Sequence, residues 1–167
     1  MAVTTHVSLD AFFHQVVTGA LETAGVEASD HTEFYLVGLL GEFAHSRISD
    51  EPLSMKLAQA SDAPAKDQIA TLKEVGDTTL VVTGMFAEWF DRRPVNPDYY
   101  MGLGEAAYRQ LAARLSASRA FGEVYGELAD KFDRFVNVLH RVRDQVNLND
   151  DGLGSYLLVG GDSGLVH

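Results

Sequence analysis

The chain has 167 residues, of which 46% are apolar and 22% charged, with 24 Asp and Glu against 13 Lys and Arg and no Cys. That is the size and make-up of one globular domain. A formal charge of −11 argues against nucleic acid and anionic membrane as partners, and the missing thiols exclude disulfides, thiolate metal sites and Cys nucleophiles. Acid excess is uneven: residues 1–84 hold 12 acids and 4 bases, residues 85–167 hold 12 acids and 9 bases. The start, MAVTTHVSLD, has neither a basic nor an apolar leader region, and Leu80–Phe90 is too short and too often interrupted for a span. A cytoplasmic location is the expectation.

Leu9, Phe12, Phe13, Val16, Val17, Ala20 and Leu21 repeat at helical spacing, with Ser8 placed to cap the start and Gly25 to close the end. A second helix begins near Asp30, where Asp30 and Glu33 have capping-box spacing, and carries the stripe Leu36, Leu39, Leu40 and Phe43 to about Ser46. Ile48–Pro52 reads as a link, Leu53–Ala60 as a short helix and Ser61–Pro64 as a joint. Residues 65–91 read either as one kinked helix or as two, broken at Gly76 with Asp77 capping a fresh start. Two prolines then mark a loop, and Asp98 is the expected cap of a helix over Tyr99–Leu115.

The clearest periodicity lies in Ala117–Val146. Phe121, Tyr125, Leu128, Phe132, Phe135, Leu139, Val142 and Val146 follow alternating steps of four and three, with His140 off the seam. One unbroken helix of this length is roughly 44 Å long and would be the spine of the molecule. Beyond it the pattern stops in a Gly-rich segment with one short apolar run, Tyr156–Val159. The expected organisation is therefore all-α. It is an antiparallel bundle of about five to seven helices around one long C-terminal helix, with residues 1–148 as a single domain and 149–167 as a flexible tail.

Gly19, Gly38, Gly41, Gly84, Gly102, Gly104, Gly122 and Gly126 all fall inside expected helices. Each costs about 0.5–1 kcal/mol relative to Ala, so close helix contacts, or the floor of a ligand site, should offset them.

Chemistry-bearing patterns are sparse. Glu42 and His45 form a Glu-x-x-His pair, which in di-iron carboxylate bundles directs both ligands inward. Glu105, Glu123 and Glu127 on later helices could complete a site for iron or manganese. Only one such pair is present where that chemistry uses two. Asp10/His14 and His140/Asp144 have the spacing of surface pairs. The tail holds an Asn147-x-Asn149-x-Asp151-Gly152 run like the opening of a calcium loop, without its closing Glu, and a Gly161-Asp162-Ser163-Gly164 quartet like that around a trypsin-type nucleophile, without an upstream His–Asp framework. Arg92 and Arg93 follow Trp89, and Tyr99 and Tyr100 come directly after, a composition typical of interfaces. Tyr108 and Tyr125 add aromatic surface for a partner or ligand. The resulting expectation is a non-enzymatic helical interaction module that associates with itself or a protein partner, without a cofactor. The alternative is a small-ligand or di-metal carboxylate bundle with oxidase-like chemistry.

Overall fold

The computed structural model describes residues 2–44 and 65–148. Among these the chain is all-helical, with no strand: α1 (Ala2–Ala24), α2 (Asp30–Ala44), α3 (Ala65–Met85), a 3-10 helix (Ala87–Arg92), α4 (Pro97–Arg114), α5 (Arg119–Asp130) and α6 (Phe132–Leu148). The expected helix at Leu53–Ala60, the tail from 149 and both of its motifs lie outside the described residues.

Local chemistry sets the boundaries. Gly25 takes a positive φ of 68°, and Val26 N–H and Gly25 N–H reach back to the carbonyls of Leu21 and Glu22. This satisfies the last carbonyls of α1 in the way only a left-handed residue allows cheaply. α2 is capped one residue earlier than expected: Ser29 Oγ accepts from Thr32 N–H at 3.2 Å. α4 is capped by Asn96 rather than Asp98, with Asn96 Oδ1 accepting from the Asp98 N–H at 2.8 Å and Pro97 opening the helix, where its missing N–H costs nothing.

Two larger expectations change. Residues 65–85 form one helix, and Gly76 and Asp77 sit within it rather than breaking it. The long C-terminal helix, in contrast, is two: α5 and α6 meet at Lys131, whose φ of −116° and ψ of 27° leave the helical region. Helical bonds persist on either side, from Lys131 N–H to Glu127 O and from Phe135 N–H to Lys131 O. The apolar seam therefore runs on across the break. Tyr125, Leu128, Phe132, Phe135, Leu139, Val142 and Val146 are all buried, and only Phe121 departs from it, at 57% exposed.

The break lets the two halves serve different neighbours. α5 packs on α4 and α2, whereas α6 packs on α3 and α1. Most pairs are antiparallel, as in α3 with α4, where Gly76 faces Tyr108 and Thr79 faces Gly104. α3 and α6 are not. Thr79 and Phe132 meet beside Gly104, Gly84 meets Leu139, and beyond the end of α3 Glu88 meets Arg143. Both residue numbers climb together, so these two helices run in the same direction.

α3 is the centre. Every residue from Val75 to Met85 is buried, on all faces of the helix. A helix that is covered all round shows no amphipathic period, which is why α3 is the least legible element in the sequence. Its neighbours approach closely because glycines remove side chains at the crossings: a Cβ on Gly84 would lie 2.5 Å from Leu139 Cβ, and one on Gly104 2.7 Å from Phe132 Cζ. Gly19, Gly38 and Gly102 have no such neighbour within 4 Å, so close packing explains only part of the glycine set.

Candidate functional site

The structure gathers polar and aromatic side chains at two places. The first is a buried polar knot around Asp77 on α3. Tyr108 on α4 donates its hydroxyl to Asp77 Oδ1 at 2.7 Å, Tyr35 on α2 donates to the same oxygen, and the Lys73 ammonium donates to Oδ2 at 2.8 Å. Both carboxylate oxygens are thus engaged by donors from three helices. Tyr125 on α5 closes the group, stacked on Tyr108 at 5.8 Å and edge-on to Tyr35 at 5.4 Å.

Position along α3 explains how the carboxylate is reached. Gly76 immediately precedes Asp77, and a Cβ there would lie 2.5 Å from the Tyr108 ring. The glycine admits the ring flat against the helix, and the ring's hydroxyl then falls on the neighbouring carboxylate. Burial comes first among the causes that hold the Tyr35 and Tyr108 phenols well above the ordinary tyrosine value, and the charge of Asp77 adds to it. Tyr125 is raised by burial as well. Half-burial works against the Lys73 ammonium, but the Asp77 charge and hydrogen bond outweigh it, so its pKa also lies above the usual lysine value. At neutral pH the knot is one carboxylate, one ammonium and neutral phenols, a closed arrangement suited to fixing helix positions.

The second place is an aromatic corner where α3 gives way to the 3-10 helix and α4. Trp89, Phe90 and Tyr100 form a three-ring cluster with centroids 5.2–5.4 Å apart. The Arg93 guanidinium lies 4.3 Å over the Trp89 ring and donates to the Trp89 carbonyl at 3.4 Å. Tyr100 is buried, Trp89 half-buried, and Tyr99 is 59% exposed. Burial, partly opposed by Arg93, raises the Tyr100 pKa.

The residues singled out in the sequence therefore divide. Trp89, Arg93 and Tyr100 come together at the corner, and Tyr99 is the exposed residue that precedes Tyr100 on α4; the side chain of Arg92 lies outside the described residues. Tyr108 and Tyr125 belong to the knot instead. Among the carboxylates, Glu42 is exposed on α2, Glu105 pairs with Arg109, Glu123 pairs with Arg119, and Glu127 pairs with Lys131; His45 lies outside the described residues. Among the described residues no three His, Asp or Glu side chains assemble as a metal set. Sequence reasoning missed Lys73, Asp77, Tyr35 and Phe90. For the first two a signal existed, the i, i+4 spacing of Lys73 and Asp77 on one helix face. Nothing local marks Tyr35, whose partner is 42 residues away.

Glu127 has a separate task. Its carboxylate accepts from Ser29 N–H at 3.0 Å and from Lys131 Nζ at 3.0 Å, while Lys131 Nζ also reaches the Glu27 carbonyl at 2.7 Å. Partial burial pushes the Glu127 pKa up, but the bonds from Thr32, Ser29 and Lys131 outweigh it and leave it below the usual value. The break between α5 and α6 is thereby tied to the link between α1 and α2.

No family model, no curated protein and no solved structure matches the chain.

Proposed function

We propose that the protein is a non-enzymatic helical interaction module that binds a protein partner through the corner formed by Trp89, Arg93, Tyr99 and Tyr100. One observation carries the reading: the Arg93 guanidinium is held 4.3 Å over a half-buried indole that packs on Tyr100, and the residue before Tyr100 on α4, Tyr99, is 59% exposed. An arginine already laid flat on a ring loses less freedom on binding than one waving in solvent, and its positive charge favours an acidic partner. Trp, Tyr and Arg are also the residues that dominate binding energy at protein interfaces. The partner this chemistry suits is a segment with an acidic group beside an apolar side chain. A second copy of this acidic chain meets that description too.

The test is site-specific photo-crosslinking in living cells. A photoreactive phenylalanine analogue at Tyr99 should yield adducts with another polypeptide, and Arg93→Glu should remove them. An analogue at the exposed Gln110 serves as the control on the same helix. Adducts of twice the chain mass identify self-association. Equal adduct yields at Tyr99 and Gln110 would defeat the reading. Metal analysis of the purified protein separates it from the carboxylate alternative, which stoichiometric iron or manganese would favour.

A further inference from the structure

Away from the knot, none of whose residues line it, α1 and α6 leave an open groove. Its first half is floored by Val16, Gly19 and Ala20 of α1, flanked by Phe12, and walled by Arg141 and Asp144 of α6. The second half continues past the same Arg141 and Asp144 to Ala24, Gly25 and Val26, with Arg134 at its rim. The halves have volumes of about 690 and 670 Å³, in the range that takes a small ligand or several side chains. The floor is low because Gly19 has no Cβ and nothing lies within 4 Å of where one would be. That glycine is otherwise unexplained, since it eases no contact inside the described bundle.

Three features of this chain point to what covers the groove. α6 delivers the chain to it: Asp144 and Gln145 line its first half, and Leu148 is the last residue of that helix. The following residues contain one apolar run, Tyr156–Val159, within an otherwise polar and glycine-rich stretch. Length suffices. The groove spans Phe12 to Ala24, about 18 Å of helix, and the seven residues between Leu148 and Tyr156, eight Cα steps in all, reach about 26 Å when extended. Charge favours it too, because Arg134 and Arg141 outnumber Asp144 on the groove wall. Residues 149–167 carry Asp150, Asp151 and Asp162 and no Lys or Arg, while Arg134 and Arg141 are exposed on the groove wall and make no ion pair with a described residue.

We infer that the chain covers this groove with its own residues 149–167, Tyr156–Val159 lying over Gly19 and Ala20 and the aspartates passing Arg141 and Arg134. The groove is thus a binding site for an extended acidic segment with an apolar centre, occupied in cis. It is independent of the corner assigned to the partner, and each can fail without the other.

Hydrogen exchange on the full chain is the test. Amides of residues 156–159 should exchange at least about tenfold slower than in an unstructured chain, at every protein concentration. Gly19→Trp fills the floor, and Arg141→Glu reverses the wall charge. Each should return those amides to the unstructured rate while the helical circular dichroism stays unchanged. Because the chain has no Cys, the pair Gln15→Cys and Leu158→Cys gives a second reading, an intramolecular disulfide in the monomer on mild oxidation. Unprotected amides in the parent chain would overturn the inference. So would protection indifferent to both groove variants, or a disulfide that forms only between chains and protection that fades on dilution, which would place a second copy in the groove.

Discussion

Asp77 shows how much one buried side chain can be asked to hold. Its two oxygens take donors from Tyr35, Tyr108 and Lys73, and a hydrogen bond to a charged group is worth about 1.5–3 kcal/mol. Asp77→Asn keeps the shape and loses the charge, and should lower the urea-unfolding free energy by about 1–3 kcal/mol. Tyr108→Phe should cost less, about 1 kcal/mol, because Tyr35 still donates to the same oxygen. An Asp77→Asn protein as stable as its parent would show that the carboxylate is not what fixes these helices. The glycines divide at the same scale. Gly84→Ala places a methyl 2.5 Å from Leu139 Cβ and should destabilise by about 1–3 kcal/mol through overpacking. Gly38→Ala and Gly102→Ala meet nothing within 4 Å and should instead stabilise by about 0.5–1 kcal/mol, the ordinary helix gain. Thermal melts of the three variants check the contrast, and a uniform effect would refute it.

At the scale of elements, the seam and the end of α1 were readable, the helix starts less so, since Ser8 lies inside α1 and Asn96 rather than Asp98 caps α4, and the centre was not. Gly25 announces the end of α1 because a left-handed residue is needed there. The stripe from Tyr125 to Val146 is buried because 3–4 spacing leaves one face to cover. Yet that same spacing conceals the break at Lys131, since apolar residues keep their rhythm on both sides of it. α3 hides for the opposite reason: with neighbours on every side, its Thr and Asp residues look like a solvated face. The knot is illegible because its members come from four helices and only their folding brings them together. His140, off the seam by periodicity, is half-buried and lies 3.1 Å from the Thr83 carbonyl, so even the polar side of α6 meets α3. Leu139, fully buried against Gly84, should cost about 2–5 kcal/mol on truncation to Ala. Glu127 gives the elements a pH signature. Its folded pKa is depressed, so its contribution is present above the ordinary glutamate range, near 4.3, and is lost as pH falls through the folded value. The stability gap between the parent and Glu127→Gln should be widest near neutrality and should close under acid. A gap that holds constant down to low pH would mean that the Ser29 and Lys131 contacts do not favour the charged form.

For the whole molecule the tyrosines supply the complementary alkaline test. Tyr35, Tyr100, Tyr108 and Tyr125 all have raised pKa values, burial being the first cause in each. Stability is therefore intact below the unfolded tyrosine value, near 10. It falls as pH rises beyond that, because only the unfolded chain can release those protons. Phenolate absorbance should stay short of the full six tyrosines until the helical signal collapses, and the rest should then appear together. A smooth titration of all six with the helices intact would contradict the burial described. The all-round burial of α3 also has a consequence for how the protein is made. Its apolar residues, from Leu72 to Met85, wait for Leu111 and Leu139 of helices encoded later. A ribosome adding about 5–20 residues per second needs roughly 3–12 s to pass from the end of α3 to Val146. Through that interval the nascent chain presents a sticky, uncovered helix, and the stretch that precedes it, with 9 acids to 2 bases over residues 1–64, carries a negative charge that repels neighbouring nascent chains.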